Sequence, residues 1–392
     1  MEAYAGLVTG QGTGAIGTIL VLGDGAEGII REVFRAAGDK KAELKVGEHC
    51  LGGIFDGDER IDEVVIGREG DSRRAGIAIN CHGNPLIVSR ILELLETKGA
   101  RIADADEIMR IEMESAGGWN SIQAEAKLAI ARVRTLEGTE IICEQVEGGL
   151  SERVEHWNSG ELRLEEIREE AKEILKRSEI ARMVVFGCRV VLAGTANSGK
   201  STLFNQLCGR ARAIVSETKG TTRDWVSAEC NICGLSVELI DTAGLDEELA
   251  GGGDIDREAQ ERAIGLVEGA DVVLLVLDAS EGSGQVSAGL LEKLNDKRVV
   301  VVVNKCDLER RLDLGGLKLG AWQVVEVCAK TGAGMERLAA AIREVTEVDR
   351  LKKGEAVCLT GRQGRLVREL SEAQSRDQVG RVAAELPRWT QQ

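Results

Sequence analysis

The chain has 392 residues, 43% of them hydrophobic and 30% charged, which is enough for two or three domains with cores of their own. Its formal net charge of −16 argues against a non-specific nucleic-acid binder, so any RNA contact must be local or made with a partner. No apolar run approaches the length of a membrane span, and the start Met1-Glu2-Ala3-Tyr4 lacks the basic residues and apolar core of a signal peptide, so a cytoplasmic protein with no membrane contact is expected. The ten cysteines follow no framework spacing and read as small buried apolar residues of a reducing compartment. Cys230-x-x-Cys233 has no second ligand pair near it and reads as a hairpin turning at Gly234 rather than as a zinc site. His49-Cys50 and Cys81-His82 lack the usual ligand spacing.

In chain order, residues 1–110 read as an α+β module. Strand-like runs at 17–22, 64–67 and 76–81 are separated by Gly and Asp clusters, and 87–95 carries apolar residues at helical spacing. The glycine-rich run 10–17 reads as a tight turn. Residues 121–180 are helical in pattern: Ile122, Ala126, Ala129, Ile130 and Val133 share one helical face, and 161–177 has the composition of a long solvent-facing helix. Residues 183–347 alternate strand and helix, which predicts a mostly parallel sheet flanked by helices. The continuous apolar runs 272–277 and 299–303 read as buried central strands, and 338–345 as a closing helix. Residues 350–392 are polar and helical, with Lys352, Lys353, Arg362, Arg365 and Arg368 read as a solvated face. The two helical stretches are expected to pack together with the α/β domain inserted between them. The expected division is therefore 1–115, 116–182, 183–347 and 348–392.

The richest chemistry lies at 188–202. An apolar strand ends at Gly194, and Gly194 to Ser201 spells G-x-x-x-x-G-K-S, a P-loop entering a helix near Gly199. Gly194, Asn197, Ser198, Gly199 and Thr202 belong to the backbone wrap around a phosphate chain; Lys200 reaches the β- and γ-phosphates and Ser201 holds Mg²⁺. Asp241-Thr242-Ala243-Gly244 ends a second strand, with Asp241 toward Mg²⁺ and the Gly244 N–H toward the γ-phosphate. Asn304-Lys305-Cys306-Asp307 ends a third, where the Asp307 carboxylate accepts from two donors that guanine has and adenine lacks. Cys328-Ala329-Lys330 follows, with the Ala329 N–H placed for the guanine oxygen. Three such motifs in order, at carboxyl ends of strands, predict a GTP site. Gly220-Thr221-Thr222-Arg223-Asp224 occupies the place of a switch loop, where Thr222 adds its hydroxyl to Mg²⁺. No Gln stands close behind Gly244 to orient a water; Asp256 is the candidate by position, with a helix N-cap as the alternative.

Together these motifs resemble the MnmE (TrmE) family of tRNA-modification GTPases. The resemblance rests on Asn197 in the P-loop, on the run from Ala213 to Asp224, on Gln123-Ala124-Glu125-Ala126 and Gly149-Leu150-Ser151 ahead of the G domain, and on Ile61-Asp62-Glu63-Val64, Cys81-His82-Gly83 and Gly99-Ala100-Arg101 in the N-terminal module. It covers nearly the whole chain and is most specific in the G domain. The chain departs from the family pattern at its end, Trp389-Thr390-Gln391-Gln392, which lacks the Cys-x-Gly-Lys ending, and reads as a divergent, C-terminally shortened member.

The resemblance implies a Ras-like P-loop G domain inserted in an α-helical domain, behind an N-terminal α+β domain that binds a tetrahydrofolate derivative and dimerises. It implies K⁺ held by Asn197, Ser216, Thr218 and Thr221, doing electrostatically what an arginine finger does elsewhere, with G domains pairing when GTP and K⁺ bind. It places the water-positioning residue at Asp256, where the family has Glu, so that Lys200, Gly244 and Asp256 form the catalytic set. The implied partners are a second copy of the chain, the flavoprotein MnmG (GidA) and tRNA, whose wobble uridine is modified. The family's basic residues near the folate are replaced by Thr13, Leu20 and Gly118. These departures leave a second reading: a GTP-switched binding protein that has lost the modification chemistry.

Overall fold

A computed structural model of the chain describes residues 2–10, 12–37, 46–68, 76–195, 197–210, 226–242, 265–286, 288–317 and 319–388. The chain divides into two compact units, Met1–Leu128 with Pro387–Gln392, and Ala129–Leu386. Among the described residues no helix is long and apolar enough to cross a membrane, and no cluster of three His, Cys, Asp or Glu side chains could hold a metal.

The first unit is built on a seven-stranded sheet, β1 (Ala3–Leu7), β2 (Ile16–Leu22), β3 (Phe34–Ala36), β4 (His49–Asp56), β5 (Glu59–Arg68), β6 (Ile77–His82) and β7 (Ala100–Ile102), in the order β3-β4-β5-β6-β2-β1-β7. All neighbours are antiparallel except β1 and β7. Four helices go with these strands: α1 (Ala26–Val33), α2 (Pro85–Thr97), α3 (Ala105–Ala116) and α4 (Ser121–Ala129). Strand alternation sorts the apolar side chains by face. Ile19, Val21, Ile54, Val64, Ile66 and Ile79 meet Ile29, Ile30, Ile91 and Leu95 of α1 and α2, while Leu20, Leu22 and Ala78 meet Ala103 and Ile108 at α3. The glycine-rich run 10–17 joins β1 to β2, with the Gly14 N–H donating to Gly83 O at 2.8 Å. Helix α2 starts two residues earlier than its apolar spacing suggests, because Asn84 accepts from the Leu86 N–H and Pro85 fills the first helical position.

The helix expected to run from Ile122 to Val133 stops at Ala129. Residues 130–132 tighten into a 3₁₀ turn and Val133 is extended. The cause lies downstream: Thr135 caps the next helix through the Gly138 N–H and must itself be extended, while the Arg134 N–H donates to Val185 O at 3.0 Å. Ile130 is left exposed.

In the second unit, α5 (Leu136–Glu147), α6 (Leu150–Asn158) and α7 (Leu164–Phe186) precede a six-stranded sheet. Its strands are β8 (Cys188–Gly194), β9 (Val226–Ile232), β10 (Leu235–Asp241), β11 (Val272–Asp278), β12 (Arg298–Asn304) and β13 (Gln323–Glu326), in the order β13-β12-β11-β8-β10-β9. The sheet is parallel except for the β9–β10 hairpin, which turns at Cys233 and Gly234, both at positive φ (48° and 87°). Every residue of β11 is buried, as in a central parallel strand with both faces covered. Helices α8 (Lys200–Arg210), α9 (Ala288–Leu294) and α10 (Met335–Val345) accompany the strands, and α11 (Gly361–Ser371) and α12 (Arg376–Glu385) follow. Helices before and after the sheet pack on one another, α11 along α7 and α12 against α6. Gln145, buried on α5, joins the two stretches: its Nε2 donates to Glu355 O (3.0 Å) and its Oε1 accepts from the Val357 N–H (3.1 Å).

Candidate functional site

The carboxyl ends of β8, β10, β11 and β12 converge on one loop. Strand β8 is paired on both sides, Leu192 with Asp241 of β10 and Gly194 with Val276 of β11. At Gly194 the backbone reaches φ 151°, and a Cβ there would fall against Val276 O, so only glycine lets the chain leave the sheet at this point. Asn197 is left-handed (φ 62°) and exposed. Gly199 is also left-handed (φ 93°), and a Cβ there would collide with the Asn304 amide. The loop then runs into α8, whose amino end directs its first N–H groups and the positive end of the helix dipole toward the loop.

Lys200 is only 3% exposed, and its ammonium donates back to two loop carbonyls, Thr195 O at 2.7 Å and Gly194 O at 3.1 Å. The loop thus wraps a fixed positive charge, and amide donors with an ammonium make an anion cradle suited to phosphate. Ser201 and Thr202 lie exposed in the first turn of α8. Asp241 is buried at the end of β10, and the next residue, Thr242, donates its hydroxyl to Leu192 O at 2.7 Å, fixing that strand end beside β8. A hydroxyl and a carboxylate are hard oxygen donors and fit Mg²⁺. For K⁺, Asn197 offers an exposed side-chain oxygen donor on the loop. Ser216, Thr218, Thr221, Thr222, Ala243, Gly244 and Asp256 lie outside the described residues.

The guanine-reading motif follows β12. Asn304, 2% exposed, is bound at both ends of its amide: Nδ2 donates to Ser198 O at 2.9 Å, and Oδ1 accepts from the Ala329 N–H at 3.0 Å. One side chain therefore ties the phosphate loop to both base-side motifs. The Ala329 N–H, expected to face the guanine oxygen, is engaged by Asn304 in this arrangement, because Asn304 stands between it and the phosphate loop. Asp307 is exposed, and its Oδ1 accepts from the Cys328 thiol at 3.2 Å. Lys330, next to Ala329 in sequence, is exposed.

Lys305 is left-handed (φ 60°), and its ammonium meets Asp278 Oδ2 at 2.6 Å. Sequence reasoning did not find Asp278. Burial works against its charged form, but hydrogen bonds from Lys305 and from the Ser280 hydroxyl and amide outweigh it and hold the carboxyl below its ordinary value. The available signal was an Asp closing an apolar strand directly before Ala279-Ser280, one strand from the phosphate loop.

By comparison with known proteins, the chain is similar to GTPases. The profile of a family described as 50S ribosome-binding GTPase matches residues 189–305. The chain is 30% identical over 382 residues to the tRNA modification GTPase MnmE of Alkaliphilus metalliredigens, covering 88% of this chain and 82% of that one. It is 30% identical over 381 residues to the protein of the same name from Thermotoga petrophila (89% and 83% covered) and 31% identical over 378 residues to that of Nitratidesulfovibrio vulgaris (87% and 80%). Among solved structures, the G domain of the T. maritima FeoB iron transporter is 28% identical, covering 40% of this chain and 98% of that one, with a TM-score of 0.30. Since the similarity runs through both units and far beyond the phosphate loop, the chain belongs to the MnmE family of tRNA modification GTPases.

Proposed function

We propose that the chain is a GTP hydrolase whose turnover is stimulated by K⁺ through pairing of G domains, and that it acts in modification of tRNA wobble uridine. The observation that carries the nucleotide reading is Asn304, which fastens the phosphate loop and the base-side motifs into one frame. In this reading the loop amides and Lys200 hold the phosphates, and Asp307 accepts from the two guanine donors, a contact that adenine would leave unmade. Ser201, Thr222 and Asp241 hold Mg²⁺, while Asn197, Ser216, Thr218 and Thr221 hold K⁺. Bound there, these cations would supply positive charge against that developing on the transferring phosphoryl group. The Gly244 N–H meets the γ-phosphate and Asp256 orients the attacking water. The domain frame proposed with it is 1–115, 116–182, 183–347 and 348–392, with two copies of the chain, MnmG and tRNA as partners. GTP turnover is expected to be higher in KCl than in NaCl, and Asn197→Ala to remove the difference while retaining GDP binding; equal rates in both salts reject the ion assignment.

A tetrahydrofolate carries carboxylates at neutral pH. Leu20 lies buried in an all-apolar cluster with Leu22, Ala78, Ala103 and Ile108, Thr13 is neutral, and Gly118 has no side chain. These three positions provide no cation for the carboxylates of a folate. That observation favours a second reading, a GTP-switched binding protein without the modification chemistry. Nucleoside analysis of tRNA from a strain deleted for this gene separates the two: loss of the modified wobble uridine supports the first, and unchanged tRNA supports the second.

A further inference from the structure

We propose that Asp278 is a positioning residue for guanine recognition, acting through Lys305. The inference rests on the reading of this site as a GTP site. Strand register sets the pair up, because Asp278 is the cross-strand neighbour of Asn304 at the matching ends of β11 and β12. The two oxygens of its carboxylate then do different things. Oδ1 closes a local turn, accepting from the Ser280 N–H at 2.8 Å and the Ser280 hydroxyl at 2.7 Å. Oδ2 faces the Lys305 ammonium at 2.6 Å. A carboxylate that served only its own turn would not need to present an oxygen to the next strand's loop. The turn itself is closed independently, by the Gln285 side chain, whose Oε1 accepts from the Asp278 N–H (2.7 Å) and whose Nε2 donates to Asp278 O (2.8 Å).

The contact matters because of where Lys305 lies. Its Cε is 3.9 Å from the Cβ position of Gly199 in the phosphate loop, so its stem runs alongside that loop between the two motifs. Its backbone holds a conformation that costs a non-glycine residue strain, and such strain persists only when neighbours over-determine it. Those neighbours are Asn304 on one side, fixed to Ser198 and Ala329, and the Leu308 N–H donating to Lys305 O at 3.0 Å on the other. Asp278 is the side-chain anchor of the set. With the ammonium held to a nearly buried carboxylate, the four-carbon stem is tied at both ends, and an apolar stem so held can serve as a ledge for a purine face. Free of that anchor, a lysine stem samples many rotamers, and ordering it must be offset at each binding event.

The test uses the full-length chain, with calorimetry of GDP and ADP and steady-state GTP turnover. Asp278→Asn keeps the turn's oxygen acceptor but removes the charge. It is expected to weaken GDP binding about tenfold, and to raise the KM for GTP while leaving kcat within about twofold. The same substitution in a Lys305→Ala background is expected to add little, since the effect passes through Lys305. Ser280→Ala, which removes one hydrogen bond from the carboxylate, is expected to give the same pattern in smaller measure and serves if the Asn variant fails to fold. An equal loss of GDP affinity with and without Lys305, or a fall in kcat with KM unchanged, overturns the proposal. If the unaltered chain shows no preference for GDP over ADP, it is the GTP reading itself that fails.

Discussion

The two ends of the six-stranded sheet are both dense in charge, yet they are built on opposite principles. At the carboxyl end, Lys200, Asp241, Asp278 and Asn304 are buried, and the loops depend on single side chains: among the described residues, Asn304 joins Ser198 to Ala329. At the amino end, a cleft of about 490 Å³ is lined by three arginines and three acids. Arg134 pairs with Glu229 at 2.6 Å, Arg189 with Glu238 at 2.9 Å, and Arg182 with Asp271, which also accepts from the Arg189 N–H at 2.8 Å. Most of these side chains are a third to a half exposed, so water screens them and can replace a lost partner. The contrast teaches that charge density alone does not mark a site. What marks it is the dependence of several backbone loops on one desolvated group.

The sharpest way to break the contrast is Asn304→Ala. It orphans the buried Ala329 N–H and removes a donor from Ser198 O, a loss of about 2–6 kcal/mol at roughly 1–3 kcal/mol for each unsatisfied group. Thermal unfolding without nucleotide should show that loss, and GDP binding should vanish with it, since the phosphate loop loses its tie to the base side.

A smaller effect concerns Asp278. Its folded-state value lies below the ordinary carboxylate value, so its contribution to stability is full above that value and is lost as pH falls through the folded one. The difference in melting temperature between the unaltered chain and Asp278→Asn is therefore expected to be flat across neutral pH and to close under acid conditions, below the usual carboxylate range. A difference that instead grew on acidification would reverse the sign of the shift.

Smallest of all should be the amino end. Arg134→Ala and Arg189→Ala are each expected to cost about 0.2–1 kcal/mol, shrinking further in high salt. A loss comparable to that of Asn304→Ala would erase the distinction between the two ends.

Much of the carboxyl end was legible in the sequence because its signals are local. The spacing of the glycines at 194 and 199 within one short motif announces a phosphate loop, and apolar runs closing in Asp241 or Asn304 announce strand ends. The turn at Cys233 and Gly234 was legible for the same reason. Partners set by tertiary register were not. Asp278 meets Lys305 only because β11 lies beside β12, and Arg134 reaches Glu229 across 95 positions of chain. The break after Ala129 was hidden because a cap at Thr135 and a hydrogen bond to Val185, neither visible in helical spacing, decide it. In the first unit, the pairing of β1 with β7 joins Ala3 to Ala100, a neighbourhood that no local pattern announces.

Helix α7 and strand β8 meet at a single residue, Gly187, whose φ of 99° makes the corner. The helix is about 35 Å long at 1.5 Å per residue, and the strand ends in the phosphate loop. The two are therefore joined through one residue, with no linker between them. Any side chain at position 187 would strain that corner, since L-residues rarely adopt its φ and a Cβ there would lie 3.2 Å from Ser236 O.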